Sequence, residues 1–325
     1  MPGILAGAID LGGTKILSLV VADGGAIKGR DQRPTQAERG LDHVLGGMVE
    51  SLRRACEDGG VGLDALHGIG VAVPGPIDLE AGVLASPPNL PGWNDVPLVR
   101  LLQERTRFPV LLENDANAAA VGEHAFGAGR GIRDMVFITI STGIGGGIIA
   151  GGRIYRGATG AAGEIGHVVV EPDGARCGCG RRGCLEGLAS GTAIGRNGEH
   201  AARQGRSSAL GEVLDKVGAV TAEDVSLAAQ RGDTGAKEVL ATAAKYLGIG
   251  LVTVVHLLNP QMIVIGGGAS KIGDPLLGPA EAYMRSHAFP LLAAAVRIVP
   301  ASTGDDAGAL GAATLVLNRD LAESA

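Results

Sequence analysis

One structural plan occurs twice in this chain, and it limits the possible folds more than any other feature. Residues 4–22, ILAGAIDLGGTKILSLVVA, read as an apolar strand, a glycine-rich turn and a second apolar strand. Residues 135–152, MVFITISTGIGGGIIAGG, repeat the plan, with Thr14 at the first tip and Thr142 at the second. Each hairpin brings a hydroxyl and a run of backbone N–H groups to its turn. Such a repeat predicts two similar domains that each present an N–H-rich turn to a shared cleft. Elsewhere the elements alternate. Residues 40–58 have helical periodicity, and HGIGVAVPGPID is a strand entering a Pro-Gly loop. PLVRLLQERT is a helix, PVLLEN a short buried strand and DANAAAVGEHAFG a helix. Residues 187–257 read as mostly helical, QMIVIGGG as a strand and DDAGALGAATLVLN as a closing helix. Strands alternating with helices predict an α/β architecture, and 325 residues are enough for two cores.

The densest chemistry lies in GEIGHVVVEPDGARCGCGRRGCLE, residues 163–186. It holds Cys177, Cys179 and Cys184, three of the four cysteines, with His167 ten residues before the first. Three thiolates and one imidazole satisfy a tetrahedral zinc ion with no open position, the pattern of a structural site. Gly178, Gly180 and Gly183 allow the tight backbone such a site requires, because glycine tolerates positive φ. Glu164 and Glu186 bracket the cluster, so the metal would hold two acids near one another. The other reading, a disulfide with a spare thiol, needs an oxidising compartment, and MPGILAGAID has no secretory signal. Cys56, on the helix expected over 40–58, reads as a small buried hydrophobe.

The glycine turns carry the next candidate chemistry. In Asp10-Leu11-Gly12-Gly13-Thr14-Lys15, bare glycines would let phosphate oxygens reach backbone N–H groups. Thr14 adds a donor, Lys15 a positive charge, and Asp10 a site for magnesium through water. The spacing is not that of a Walker A loop, and a simple tight turn explains the motif equally well. Thr142 and Gly143 lie in the matching turn, where phosphate binding competes with a β-bulge. Gly266, Gly267 and Gly268 follow a buried strand and offer bare backbone to an adenine or ribose; strands also end in glycine for steric reasons alone. Glu113-Asn114-Asp115 ends a strand. Asp115 there suits a general base for a substrate hydroxyl and Asn114 a sugar contact. Taken by themselves these residues favour an ordinary helix N-cap.

Net charge is −6, which argues against nucleic acid, since phosphate backbones select a basic face. No apolar run in the sequence approaches a membrane span. We expect a cytoplasmic protein with no membrane partner.

DLGGTK at 10–15, ENDANAAA at 113–120, STGIGGG at 141–147, GEIGH at 163–167, CGCGRRGCLE at 177–186 and IVIGGG at 263–268 occur in an order that resembles the ROK-family sugar kinases. PGPID at 74–78 and NLPGW at 89–93 resemble its glucokinase branch. The resemblance implies an actin/hexokinase-like (ribonuclease H-like) α/β fold with duplicated domains and an interdomain cleft. We expect a small domain of residues 1–118 plus 305–325, and a large one of 119–304 that carries the zinc site. It implies Asp115 as general base for the sugar's 6-hydroxyl. Asn114, Glu164, His167 and Glu186 would bind sugar hydroxyls, and Gly75 and Pro76 would supply backbone contacts. His167 would serve zinc through one ring nitrogen and the sugar through the other. Asp10, Gly12, Gly13, Thr14, Lys15, Thr142, Gly143 and Gly266–Gly268 would hold ATP and magnesium. Homodimers or homotetramers are implied too. The alternatives within the family are another hexose (N-acetylglucosamine, N-acetylmannosamine, mannose or fructose), polyphosphate as donor, or a non-catalytic sugar sensor. The first strand at residue 4 leaves no room ahead of it for a repressor's DNA-binding domain, and we expect an enzyme.

Overall fold

The computed structural model describes residues 3–87 and 89–318. The chain divides into two compact units. The first comprises Met1–Phe137, Gly147–Gly163 and Ala301–Ala325, and the second Ile138–Gly146 and Glu164–Pro300. Met1, Pro2 and the last seven residues of the expected 305–325 segment lie outside the described residues.

In the first unit, β1 (Leu5–Leu11), β2 (Lys15–Ala22), β3 (Ile27–Pro34), β4 (Ile69–Val73) and β7 (Val110–Asn114) form a sheet of order β3-β2-β1-β4-β7. β1, β2 and β3 are antiparallel, whereas β4 and β7 run parallel to β1. β5 (Ile77–Asp78) and β6 (Val83–Leu84) make a separate small ribbon. Successive side chains of a strand point to opposite faces, and the core follows that rule. Ile9, Leu11, Ile16 and Val20 pack with α1 (Leu41–Asp58) and α2 (Leu98–Thr106) on one face. Ala6, Ala8, Leu17 and Leu19 pack with α3 (Asp115–Phe126) and α11 (Ala307–Leu317) on the other. Small residues bring α3 and α11 into backbone contact: a Cβ on Gly311 would stand 1.6 Å from the Ala118 carbonyl oxygen. That close approach explains why α3 stays with the first unit, where the expected boundary at 118/119 would have cut it.

The second sheet contains β8 (Met135–Ile140), β9 (Ile144–Ala150), β10 (Arg153–Ile154), β11 (Met262–Gly266) and β12 (Arg297–Pro300). Its order, β10-β9-β8-β11-β12, is that of the first sheet. The sequence repeat is thus a fold repeat. The expected helical stretch comprises α4 (Leu185–Ala189), α5 (Gly191–Arg203), α6 (Ser208–Val217), α7 (Ala222–Gln230) and α8 (Thr234–Leu258). α9 (Asp274–His287) and α10 (Pro290–Ala295) follow β11. α8 corrects one expectation. Its 25 residues are long and apolar enough to cross a membrane by length and composition. However, 56% of its most apolar window is buried. Val239, Leu240, Leu247, Leu251 and Val255 account for that apolarity as core packing within the second unit.

Candidate active site

In the first unit, the parallel strands β1, β4 and β7 deliver their C-terminal ends to one sheet edge, the usual ligand edge of such sheets. Asp10 lies near the end of β1, Gly75-Pro76 follow β4, and Asn114-Asp115 stand where β7 becomes α3. The 12–14 turn is closed by the Gly12 N–H donating to the Lys15 carbonyl (2.9 Å). Thr35 holds it from β3's side: its hydroxyl donates to the Gly12 carbonyl (2.6 Å) and its N–H to the Thr14 carbonyl (3.0 Å).

The Asn114 side chain caps α3, accepting from the N–H groups of Ala116 (3.0 Å) and Asn117 (3.2 Å). The N-cap reading is therefore correct, and it leaves the amide nitrogen on the Gly75 side, 3.4 Å from where a Gly75 Cβ would be. Asp115, exposed at the helix N-terminus, accepts from the Ala116 N–H at 2.8 Å, where the helix dipole favours a negative charge. Asp10 packs on the first turn of α11, 2.7 Å from a would-be Gly308 Cβ. Burial first, then the charge of Asp115, push Asp10 up to about 7, against the opposing pull of Lys15. An acid raised by the charge of a second acid marks a place suited to a cation.

Two further acids hold this edge, and the sequence reading assigned them no role. Glu113, fully buried, takes Nε (2.8 Å) and Nη2 (2.6 Å) of Arg156 on one oxygen. Its other oxygen accepts from the Asn114 N–H (2.9 Å) and Asn117 Nδ2 (3.1 Å). Glu123, also fully buried on α3, accepts from the N–H groups of Ala128 (2.8 Å), Ser302 (2.9 Å) and Thr303 (2.7 Å). It thus ties α3 to the loop that leads into α11. Glu113 was visible beside Asn114, but partners 43 and 179 residues away leave no local signal.

In the second unit the four expected metal donors converge. Sulfur ligands about 2.3 Å from zinc stand roughly 3.8 Å apart at the corners of a tetrahedron. Cys179 Sγ lies 3.7 Å from Cys184 Sγ, and Cys177 Sγ lies 3.8 Å from His167 Nδ1. All four donor atoms are within 4.8 Å of one another. The cysteines are free thiols, which removes the disulfide reading. Burial pushes the Cys177 thiol up to about 12, so a thiolate there requires a cation beside it. The donor set fits zinc. Gly180 and Gly183 have positive φ as expected, whereas Gly178 does not.

His167 turns Nε2 away from the thiols to 3.8 Å from Glu164 Oε2. Glu186 also reaches the cluster, its Oε1 accepting from Cys177 Sγ at 3.3 Å. Its Oε2 accepts from the Ile144 N–H at 3.0 Å, in the turn that carries Thr142 and Gly143. Gly267, with φ 90°, lies against Ile140; a Cβ there would stand 2.4 Å from that carbonyl. Gly267 thus has a steric reason of its own, whereas a Cβ on Gly268 would meet nothing nearer than Ser141 Oγ at 3.9 Å.

The repeated sheet order, with acids at strand ends and hydroxyl-bearing hairpin turns, defines an actin/hexokinase-like protein. The chain belongs to the ROK family, whose sequence pattern matches residues 6–319. It is 39% identical over 313 residues to a glucokinase of Halalkalibacterium halodurans, covering 96% of this chain and 94% of that one. A ROK hexokinase from Thermus thermophilus superposes with a TM-score of 0.79 at 37% identity, over 95% of this chain and 97% of the other. A ROK-family glucokinase from Streptomyces griseus, solved with glucose and AMPPNP, gives 0.80 at 33% identity, over 96% and 98% of the two chains.

Proposed function

We propose that the chain is an ATP-dependent glucokinase that transfers the γ-phosphoryl group to the 6-hydroxyl of glucose. The observation that carries this reading is the end-to-end similarity to glucokinases, combined with an intact acid at the start of α3. Phosphoryl transfer asks a protein mainly to position groups and neutralise charge. Asp115 is the general base, held by a helix that Asn114 caps and Glu113 anchors. Asn114, Glu164, His167 and Glu186 bind sugar hydroxyls, with the backbone of Gly75 and Pro76. Thr14, Lys15, Thr142 and Gly143 hold the phosphates, and Gly266–Gly268 lie along the nucleoside. Asp10 is the group suited to hold magnesium through water, which supplies charge neutralisation at the phosphates. His167, Cys177, Cys179 and Cys184 hold a structural zinc, which fixes the imidazole so that Nε2 is an N–H donor for the sugar.

We extend the reading to a cytoplasmic homodimer or homotetramer. Exposed Leu257, Phe289 and Leu291 on the second unit supply apolar surface for such an assembly. A panel of hexoses, assayed with ATP and with polyphosphate and scored by kcat/KM, tests the activity. The expected outcome is a clear preference for glucose with ATP. A higher kcat/KM for a 2-acetamido sugar, or for polyphosphate, would overturn that assignment.

A further inference from the structure

The segment from Cys184 to Thr192 runs along the Ser141–Ile144 turn and grips it at both ends. At one end, the N–H groups of Gly191 (2.8 Å) and Thr192 (3.4 Å) donate to the carbonyls of Ser141 and Thr142. At the other, Glu186 Oε2 accepts from the Ile144 N–H at 3.0 Å. None of these bonds uses the N–H groups of Thr142 or Gly143. The carboxylate lies so close that a Cβ on Gly143 would stand 2.3 Å from Oε2. A negative group against a turn meant for phosphates would repel them through space. Its presence there makes sense if it shapes the turn. Its other oxygen meets Cys177 at 3.3 Å, so one side chain touches both the thiol–imidazole cluster and the turn.

We propose that Glu186 is a positioning residue for the nucleotide as well as a sugar contact. Through Ile144 it sets the turn whose N–H groups receive ATP phosphates, and Cys184, a member of the donor cluster two residues before Glu186, anchors the backbone that carries it. This rests on the assignment of Thr142 and Gly143 to the phosphates.

Two substitutions separate charge from reach. In Glu186→Gln, the amide oxygen still accepts from Ile144 while the negative charge is gone. In Glu186→Asp, the charge stays but the shorter side chain falls short of the N–H. At saturating glucose, Glu186→Asp is expected to raise the KM for ATP about tenfold, the cost of leaving the Ile144 N–H without its acceptor. Amide hydrogen exchange at Ile144 is expected to accelerate in the same variant. Glu186→Gln is expected to keep both near wild type while raising the KM for glucose. If both variants shift the KM for ATP equally, or neither shifts it, the positioning role is overturned. Thr142→Val separates the two levels of the argument. Should it raise the KM for ATP while Glu186→Asp does not, only the positioning role fails. Should neither change it, the assignment of this turn to phosphate fails as well.

Discussion

The two hairpin turns share a sequence plan and a place in a repeated sheet, yet they are buttressed by different chemistry. The 12–14 turn rests on neutral groups: the hydroxyl and N–H of Thr35, and the body of Asn89, whose Cβ lies 2.8 Å from a would-be Gly13 Cβ. The 141–144 turn rests on a carboxylate and on the first N–H groups of α5, both placed by the segment that starts at Cys184. Duplication thus reproduced the strands and the glycines but not their supports. The first turn is held by neutral groups of its own unit, whereas the second is held by a segment that begins at one of the four clustered donors.

The largest effect expected lies beside the first turn. Asp115→Asn removes the base while keeping size and cap geometry, and kcat should fall by about 10²–10⁴. The KM for glucose should stay near wild type in steady-state assays. A fall of less than tenfold would take the base role from Asp115.

Next in size, Cys179→Ser removes one metal donor and tests the dependence of the second turn. We expect no retained zinc by elemental analysis, a lower melting temperature, and KM values for glucose and ATP each raised about tenfold, as Glu164, His167 and Glu186 lose their fixed places. If wild-type protein holds no zinc, or the variant keeps its ATP KM, the contrast between the turns disappears.

Much of this design was legible in the chain. Hairpins, the helices α1, α2, α3 and α8, and the metal donors follow from periodicity and spacing. β3 was missed because IKGRDQRP is a polar edge strand with one buried residue, Gly29, so its pattern resembles a loop. α9 was missed because Pro275 and Pro279 interrupt its apolar period. The unit boundaries were misplaced because α3 is bound to α11 by glycine and alanine contacts nearly two hundred residues apart in the chain. The acids Glu123 and Glu113 were not legible as anchors for the same reason: their partners are distant, and an isolated Glu reads as a solvated charge.

A smaller effect concerns Asp10. In protein free of magnesium and nucleotide, its folded value of about 7 lies above the unfolded 3.8. The native state then binds more protons than the unfolded one between those values. Stability from this group is full below about 3.8 and is lost as pH rises through about 7. Asp10→Asn should therefore melt higher than wild type at pH 8, by at most ~4 kcal/mol in stability. The difference should vanish near pH 4, and magnesium with nucleotide should narrow it at pH 8. A variant that melts lower than wild type at pH 8 would refute the strained-acid reading.

The smallest effect tests the claim that the first turn needs no metal. Thr35→Val deletes the hydroxyl that donates to the Gly12 carbonyl and keeps the shape of the side chain. A single neutral hydrogen bond contributes about 1 kcal/mol. The Thr35 N–H still holds the Thr14 carbonyl, and the Gly12–Lys15 bond still closes the turn. The KM for ATP should then rise no more than about fivefold, with zinc content and the glucose KM unchanged. Combined with Cys179→Ser, its effect on the ATP KM should multiply rather than saturate, because supports that share no partner act independently. A non-multiplicative double variant would mean that the two turns are held by one connected structure, and the contrast drawn between them would not stand.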